Sequence, residues 1–121
     1  PLDQPESRAV YDISRKENFR LTSSLHTQGE EIYWRFGSFA PPSGKELGEK
    51  MAAVSGYTLT DPVEFQSFAG YKDWFIMTYM RPGYTIEAGK GVSPLPINRF
   101  DVFYPPVEAI LSVALGEGFQ N

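Results

Sequence analysis

The apolar residues of the chain recur at two spacings, which predict helices in some segments and strands in others. Apolar positions three and four residues apart share one helix face, and this pattern predicts four helices. They run from Asp3 to about Asn18, from Lys45 to Val54, from Gly70 to the break at Arg81-Pro82-Gly83, and from Val102 to Leu115. We expect Asp3 to cap the first helix, and Pro105-Pro106 to mark the start of the regular part of the last.

Three further runs are rich in β-branched and aromatic residues, which favour strands. They cover Phe19 to Leu25, Glu31 to Phe36, and Tyr84 to Gly89. The segment from Tyr57 to Ala69 has no clean period and is predicted to be a long surface loop. Because helices and strands alternate along the chain, we expect an α/β fold with a mixed or parallel sheet. Three strands are few for such a sheet, which predicts uncovered sheet edges.

Composition narrows the classes of protein that fit. The chain has 121 residues, of which 41% are hydrophobic and 15% aromatic, enough for one small domain with one core. Its net charge of -4 argues against a nucleic-acid partner, because such partners normally meet a basic face. No apolar run approaches the roughly 18 residues that a membrane span needs, so membrane insertion is not expected. The chain has no cysteine and one histidine, so any histidine-dependent chemistry within it must use His26.

Two residues stand where α/β proteins place their chemistry. His26 follows the first predicted strand, and ligands in α/β sheets collect at the carboxyl ends of strands. A neutral imidazole is also a common zinc ligand, although a hydrogen-bonded structural histidine is the alternative. Glu87 lies inside an apolar strand, where a carboxylate is costly unless it is paired or used, for example as a general base. The alternative for Glu87 is a side chain that points to solvent from a one-sided sheet.

Other charged or glycine-rich segments carry weaker signals. Lys72 and Asp73 lie near the start of an apolar helix, and a solvated pair on the exposed face is the first interpretation. Glu30 and Glu31 are adjacent, and adjacent strand residues point to opposite faces, so they are not predicted to form a carboxylate pair. No phosphate-binding loop and no Gly-x-Ser-x-Gly elbow is present, so neither nucleotide binding nor serine-hydrolase catalysis is predicted.

Several segments, taken together and in order, resemble the zinc carboxypeptidases related to carboxypeptidase A. They are the helix opening Pro1-Leu2-Asp3-Gln4-Pro5-Glu6, the strand end Leu25-His26-Thr27-Gln28-Gly29-Glu30, the pocket helix Gly70-Tyr71-Lys72-Asp73-Trp74-Phe75, and the strand Tyr84-Thr85-Ile86-Glu87-Ala88-Gly89-Lys90-Gly91. Pro94-Leu95-Pro96 and the last helix also fit. Within this superfamily the sequence looks most like the bacterial γ-D-glutamyl-diamino acid (diaminopimelate) peptidases, which trim cell-wall peptides.

The resemblance implies a fold, an activity and a set of site residues. Residues 1–121 would be the C-terminal half of a catalytic domain, the C-terminal portion of a three-layer α/β/α fold with a mixed sheet. The activity would be that of a zinc peptidase acting on peptidoglycan-derived peptides, either outside the membrane or in the cytoplasm. His26 would be a metal ligand and Glu87 the general base. The residues that contact the peptide substrate would be Thr27, Phe65, Lys72 and Thr85, with Lys72 suited to an acidic group such as the distal carboxylate of diaminopimelate.

The chain also departs from the family pattern. The His-x-x-Glu motif that supplies the other two zinc ligands is not in the sequence, and Phe65 occupies the place of a mobile tyrosine. We therefore predict that this polypeptide alone is inactive, binds zinc weakly or not at all, and self-associates through an exposed sheet edge. A non-catalytic domain that binds peptide or cell wall and has lost its metal centre is the alternative, and a purely structural module is a third hypothesis.

Overall fold

The computed structural model describes residues 2–61 and 70–118. The elements are α1 (Pro5–Lys16), β1 (Thr22–His26), β2 (Glu31–Tyr33), α2 (Gly44–Ser55), β3 (Thr58–Thr60), α3 (Tyr71–Tyr79), β4 (Gly83–Glu87) and α4 (Phe100–Gly118), with a 3-10 turn at Ile97–Arg99. Within this part of the chain, no helix is long and apolar enough to cross a membrane.

The strands form one mixed sheet in the order β1-β4-β2-β3. Strand β4 is central: it runs parallel to β1 and antiparallel to β2, and β2 in turn runs parallel to β3. The carboxyl ends of β1 and β4 therefore lie beside the start of β2, at one end of the strands. Strand β1 is the first strand of the sheet, so its outer side has no strand partner among the described residues.

The core lies between one face of the sheet and the helices α2 and α4. Successive strand residues point to opposite faces, so Ile32, Tyr84 and Ile86 share this face, and each is 0% exposed. They pack with Met51 of α2 and Ile110 of α4, which are also fully buried. The Tyr84 hydroxyl is satisfied inside the core because it donates a 2.7 Å hydrogen bond to the Gly44 carbonyl.

Helix α3 covers part of the opposite face of the sheet. It packs near the start of β4, where Gly83 makes the close approach possible. A Cβ atom at Gly83 would lie 3.2 Å from Cγ1 of Ile76, which is tighter than ordinary side-chain contacts. Helix α1 packs on α3 from outside, through a 2.7 Å hydrogen bond between Ser14 and Tyr71 and the contact of the Tyr11 ring with Trp74. The result is three layers, with helices on both faces of the sheet.

The structure corrects several boundaries predicted from the sequence. Helix α1 begins at Pro5 with Gln4 at the capping position and no side-chain cap, so the predicted role of Asp3 is wrong. Helix α4 begins at Phe100, and Pro105-Pro106 lie inside it. Both prolines lie beyond the first turn, whose N–H groups have no partner inside the helix, and therefore at positions where a proline removes a backbone hydrogen bond.

The predicted loop from Tyr57 to Ala69 is partly wrong. Tyr57 is buried in the core, and Thr58–Thr60 form the strand β3, which pairs with β2. A three-residue strand carries too few alternations for the sequence to show a period of two. The remainder of the predicted loop, residues 62–69, lies outside the described residues.

Candidate functional site

One face of the sheet is polar near the carboxyl ends of β1 and β4. Strand register sets His26 beside Glu87 across the parallel pair, and Glu31 beside Glu87 across the antiparallel pair. The next row on the same face holds Ser24, Thr85 and Tyr33 in the same order. We call this set the polar face: Ser24, His26, Glu31, Tyr33, Thr60, Thr85 and Glu87.

His26 is the last residue of β1, as the sequence predicted. Its backbone carbonyl accepts a 2.8 Å hydrogen bond from the amide of Ala88, which fixes the end of β1 against the end of β4. The side chain is exposed, and no hydrogen bond or ion pair joins the imidazole to another residue in the described ranges. The interpretation of His26 as a hydrogen-bonded structural histidine therefore does not fit this arrangement.

Glu87 ends β4 and lies between His26 and Glu31 in the row across the sheet. Adjacent strands are about 4.8 Å apart, so the backbones of His26 and Glu87 are direct neighbours and their side chains leave the same face. Glu87 is half-buried rather than fully buried, because only the opposite face of β4 is covered by the core. The two residues predicted from the sequence are thus brought together.

Glu31 and Tyr33 belong to the site although the sequence did not predict them. The Tyr33 hydroxyl donates a 3.0 Å hydrogen bond to Oε2 of Glu31, and the Thr60 hydroxyl donates one of 3.3 Å to Oε1. Burial raises the pKa of the Tyr33 phenol, and the hydrogen bond to Glu31 and the charges of Glu31 and Glu87 raise it further. The available signal was the spacing of two between Glu31 and Tyr33, which places both on one strand face.

Lys72 and Asp73 form a buried ion pair, so their interpretation as a solvated pair is wrong. Lys72 is 5% exposed and Asp73 is 3% exposed. The Lys72 ammonium contacts the Asp73 carboxylate and donates a 2.7 Å hydrogen bond to the carbonyl of Arg35, which follows β2. Two of the three N–H donors of Lys72 are used in this way, and its charge is balanced by Asp73.

The other predicted substrate residues lie at different depths. Thr85 is half-buried on the polar face, two residues before Glu87 and therefore on the same side of β4. Thr27 follows His26 and is exposed, with its hydroxyl 3.2 Å from the hydroxyl of Ser93. Phe65 lies outside the described residues.

The described residues fit one ligand of a zinc site and not a whole site. His26 presents an exposed imidazole, which is a suitable donor. A catalytic zinc normally takes three protein ligands, and no group of three histidine, cysteine, aspartate or glutamate side chains in residues 2–61 and 70–118 could hold a metal ion. A complete site would therefore need ligands from outside these residues.

The described fold is similar to a portion of the carboxypeptidase fold. The structure of thrombin activatable fibrinolysis inhibitor, which has the carboxypeptidase fold, matches 98% of this chain with a TM-score of 0.74 and 15% sequence identity. The match covers 34% of that protein. This likeness confirms the predicted fold class, a mixed α/β fold of which the chain holds one portion.

Two bacterial proteins are similar in sequence. The chain is 44% identical over 116 residues to gamma-D-glutamyl-L-diamino acid endopeptidase 1 of Lysinibacillus sphaericus, which covers 95% of this chain and 28% of the relative. It is 38% identical over 115 residues to the uncharacterized protein YqgT of Bacillus subtilis (strain 168), covering 95% and 31%. The chain thus spans less than a third of the length of these curated relatives. No family model matches the sequence.

Proposed function

We propose that this chain is part of a zinc peptidase that hydrolyses peptidoglycan-derived peptides of the γ-D-glutamyl-diamino acid type. The observation that carries the proposal is the in-register placement of His26 and Glu87 on one sheet face, at the carboxyl ends of their strands. The 44% identity to a named γ-D-glutamyl-L-diamino acid endopeptidase supports both the reaction class and the substrate class. The carboxypeptidase-type fold is consistent with this reaction.

In this proposal each residue of the site has a separate task. His26 would hold the zinc as one of its ligands, through the imidazole. Zinc, when bound, lowers the pKa of water to about 7 and polarises the carbonyl to be cleaved. As the oxygen of the attacking water bonds to the carbonyl carbon, Glu87 takes a proton from that water. As the C–N bond breaks, Glu87 passes that proton to the leaving nitrogen, so that one water is consumed for each bond cleaved.

Three residues are proposed to hold the peptide. Thr85 is on the same face as Glu87 and offers a hydroxyl beside it, and Thr27 offers another at the open end of β1. Lys72 would contact the released residue through its third N–H, which adds direction to the contact more than net charge because Asp73 balances the ammonium.

We also propose that residues 1–121 are the C-terminal half of a larger catalytic domain. Strand β1 has no partner on its outer side among the described residues, and a groove of about 700 Å³ runs beside it. The groove is largely apolar and is lined by residues of β1, its preceding loop and α4: Asn18, Phe19, Arg20, Leu21, Ser23, Leu111, Ala114 and Leu115. Leu115 is 63% exposed and the nearby edge residue Leu25 is 53% exposed.

Two buried hydroxyls of β1 also support the proposal of a larger domain. Oγ1 of Thr22 and Oγ of Ser23 are buried without a hydrogen-bond partner among the described residues. Buried polar atoms are normally satisfied, so these two hydroxyls are expected to find partners in a part of the domain outside the described residues. The remaining zinc ligands would come from the same additional part of the domain. The isolated chain is then expected to be inactive, to bind zinc weakly or not at all, and to associate with itself through β1.

The test of the proposal is the full-length protein that carries this chain, assayed on γ-D-glutamyl-diamino acid peptides with zinc content measured in parallel. Glu87→Gln should keep stoichiometric zinc and lose about two to four powers of ten in kcat, because only the proton transfer is removed. Glu108→Gln, a substitution at an exposed position on α4, is the matched control and should keep both. Wild-type rates in Glu87→Gln would contradict the assignment of the base. No hydrolysis by the wild type would favour a binding domain without catalysis.

A further inference from the structure

Glu31 is a second carboxylate at the proposed site, and its place there needs a reason. It is the register partner of Glu87 across the antiparallel pair β2–β4. Directly opposite side chains on one face have Cβ atoms about 5 Å apart, and like charges in such a pair destabilise the sheet. Two carboxylates in this arrangement therefore cost stability unless a cation lies close to them.

The Glu31 carboxylate is held in place rather than free to turn away. The Tyr33 and Thr60 hydroxyls donate to its two oxygens at 3.0 and 3.3 Å. Both donors are neutral, so they fix the position of the carboxylate without cancelling its charge. A carboxylate held in this way is preorganised to bind a charged group, because its position is fixed before the ligand arrives.

The nearby cations do not supply that charge. The Lys90 ammonium lies 3.5 Å from Glu30, the neighbour that precedes β2, and Lys72 is paired with Asp73. Across residues 2–61 and 70–118, no lysine or arginine forms an ion pair with Glu31 or Glu87. Among the described residues, the polar face thus carries two carboxylates with no cationic side chain to balance them, and His26, the proposed zinc ligand, is the register neighbour of Glu87 and not of Glu31.

We propose that Glu31 determines specificity by binding the second amino group of a diamino acid substrate, with Tyr33 as the residue that positions it. This inference rests on the proposed function, whose substrate carries a second amino group on the diamino acid that follows the γ-D-glutamyl bond. A carboxylate and an ammonium form a charge-assisted hydrogen bond, which is about twice as strong as a neutral one. The order of the residues across the sheet also fits this role. Glu87 lies between His26, the proposed zinc ligand, and Glu31, the proposed binding group for the ammonium.

The test compares two substrates that differ only in that amino group. The full-length protein is given γ-D-glutamyl-L-lysine peptides with the side-chain amine either free or acetylated, and kcat/KM is measured for each. The wild type should prefer the free amine by about ten- to a hundredfold, the range expected for hydrogen bonds to charged groups. Glu31→Gln keeps the size of the side chain and one acceptor oxygen but removes the charge, so most of that preference should disappear, mainly through KM for the free amine.

Two further variants separate recognition from structure. Glu30→Gln is the matched control, since Glu30 lies one residue away and pairs with Lys90, and it should keep the preference of the wild type. Tyr33→Phe removes the hydroxyl that holds Glu31 and should lower the preference by a smaller factor. A merely structural role of Glu31 or Tyr33 would instead lower kcat/KM for both substrates by the same factor.

The possible outcomes distinguish this inference from the function on which it rests. Equal rates of the wild type on both substrates, or an undiminished preference in Glu31→Gln, would overturn the role of Glu31 and leave the peptidase intact. If the wild type cleaves neither substrate, the proposed function fails, and calorimetric binding of free L-lysine against Nε-acetyl-lysine then decides. Tighter binding of the free amine that Glu31→Gln abolishes supports the role of Glu31, and equal binding of the two overturns it.

Discussion

The two faces of β4 differ in what their side chains do. On one face Tyr84 and Ile86 are 0% exposed and pack against α2 and α4. On the other, Thr85 and Glu87 are half-buried and lie beside polar residues of the neighbouring strands. Within five residues, the same strand thus stabilises the fold with alternate side chains and presents candidate chemistry with the others. A period of two is what allows one short element to serve both purposes.

The largest expected effect on stability comes from the apolar face. Ile86→Ala should lower the free energy of unfolding by about 2–5 kcal/mol, because it removes buried methylene groups and leaves a cavity. Thr85→Ala, one residue away on the polar face, is the control and should cost less than about 1 kcal/mol. Urea unfolding of both variants measures the difference. Similar losses in the two variants would mean that the polar face of β4 is as important for folding as its core face.

A smaller effect follows from the tyrosines on the two faces, and it depends on pH. Burial raises the pKa of the Tyr84 phenol well above its ordinary value of about 10, so the folded protein keeps a proton that the unfolded chain releases. This stabilising contribution is complete below pH 10 and is lost as the pH rises toward the folded-state pKa. The free energy of unfolding should therefore fall above about pH 10.

The phenylalanine variant isolates that contribution. Tyr84→Phe should unfold more easily at neutral pH by about 0.5–1.5 kcal/mol, because the hydrogen bond to the Gly44 carbonyl is lost. It should also show a shallower fall in stability above pH 10 than the wild type. Tyr33→Phe on the polar face is the variant for comparison. It removes a phenol whose pKa is also raised, by burial and by the charges of Glu31 and Glu87. Parallel alkaline profiles of Tyr84→Phe and the wild type would contradict the assignment to Tyr84.

The sequence predicted the parts of this molecule that depend on long or regular patterns. Helix α2 runs from Gly44 to Ser55 and ends at Gly56, whose positive φ of 76° suits a glycine cap, close to the predicted boundaries. The placement of His26 at a strand end and of Glu87 within a strand could also be predicted, because each belongs to or follows a run rich in β-branched and aromatic residues. The register that makes them neighbours is a tertiary feature that a single strand pattern does not contain.

The remaining features could not be predicted because they arise from contacts between distant segments. Lys72 is buried because α3 packs closely on β4 and Asp73 compensates the charge, and neither condition is visible in the local sequence. Strand β3 exists because its three residues complete β2. Glu31 was set aside with Glu30 as an adjacent pair, whereas its relevant partner is Glu87, across the sheet from it.

Whether the ends of β1 and β4 form one zinc site is tested by the zinc content of the full-length protein with and without the imidazole of His26. We expect stoichiometric zinc in the wild type, loss of that zinc in His26→Ala, and its retention in Glu87→Gln, since only His26 is assigned to the metal. Circular dichroism of His26→Ala should match the wild type, because the exposed side chain contributes nothing to the core. Wild-type zinc affinity in a folded His26→Ala variant would contradict the claim that these two strand ends share one metal site.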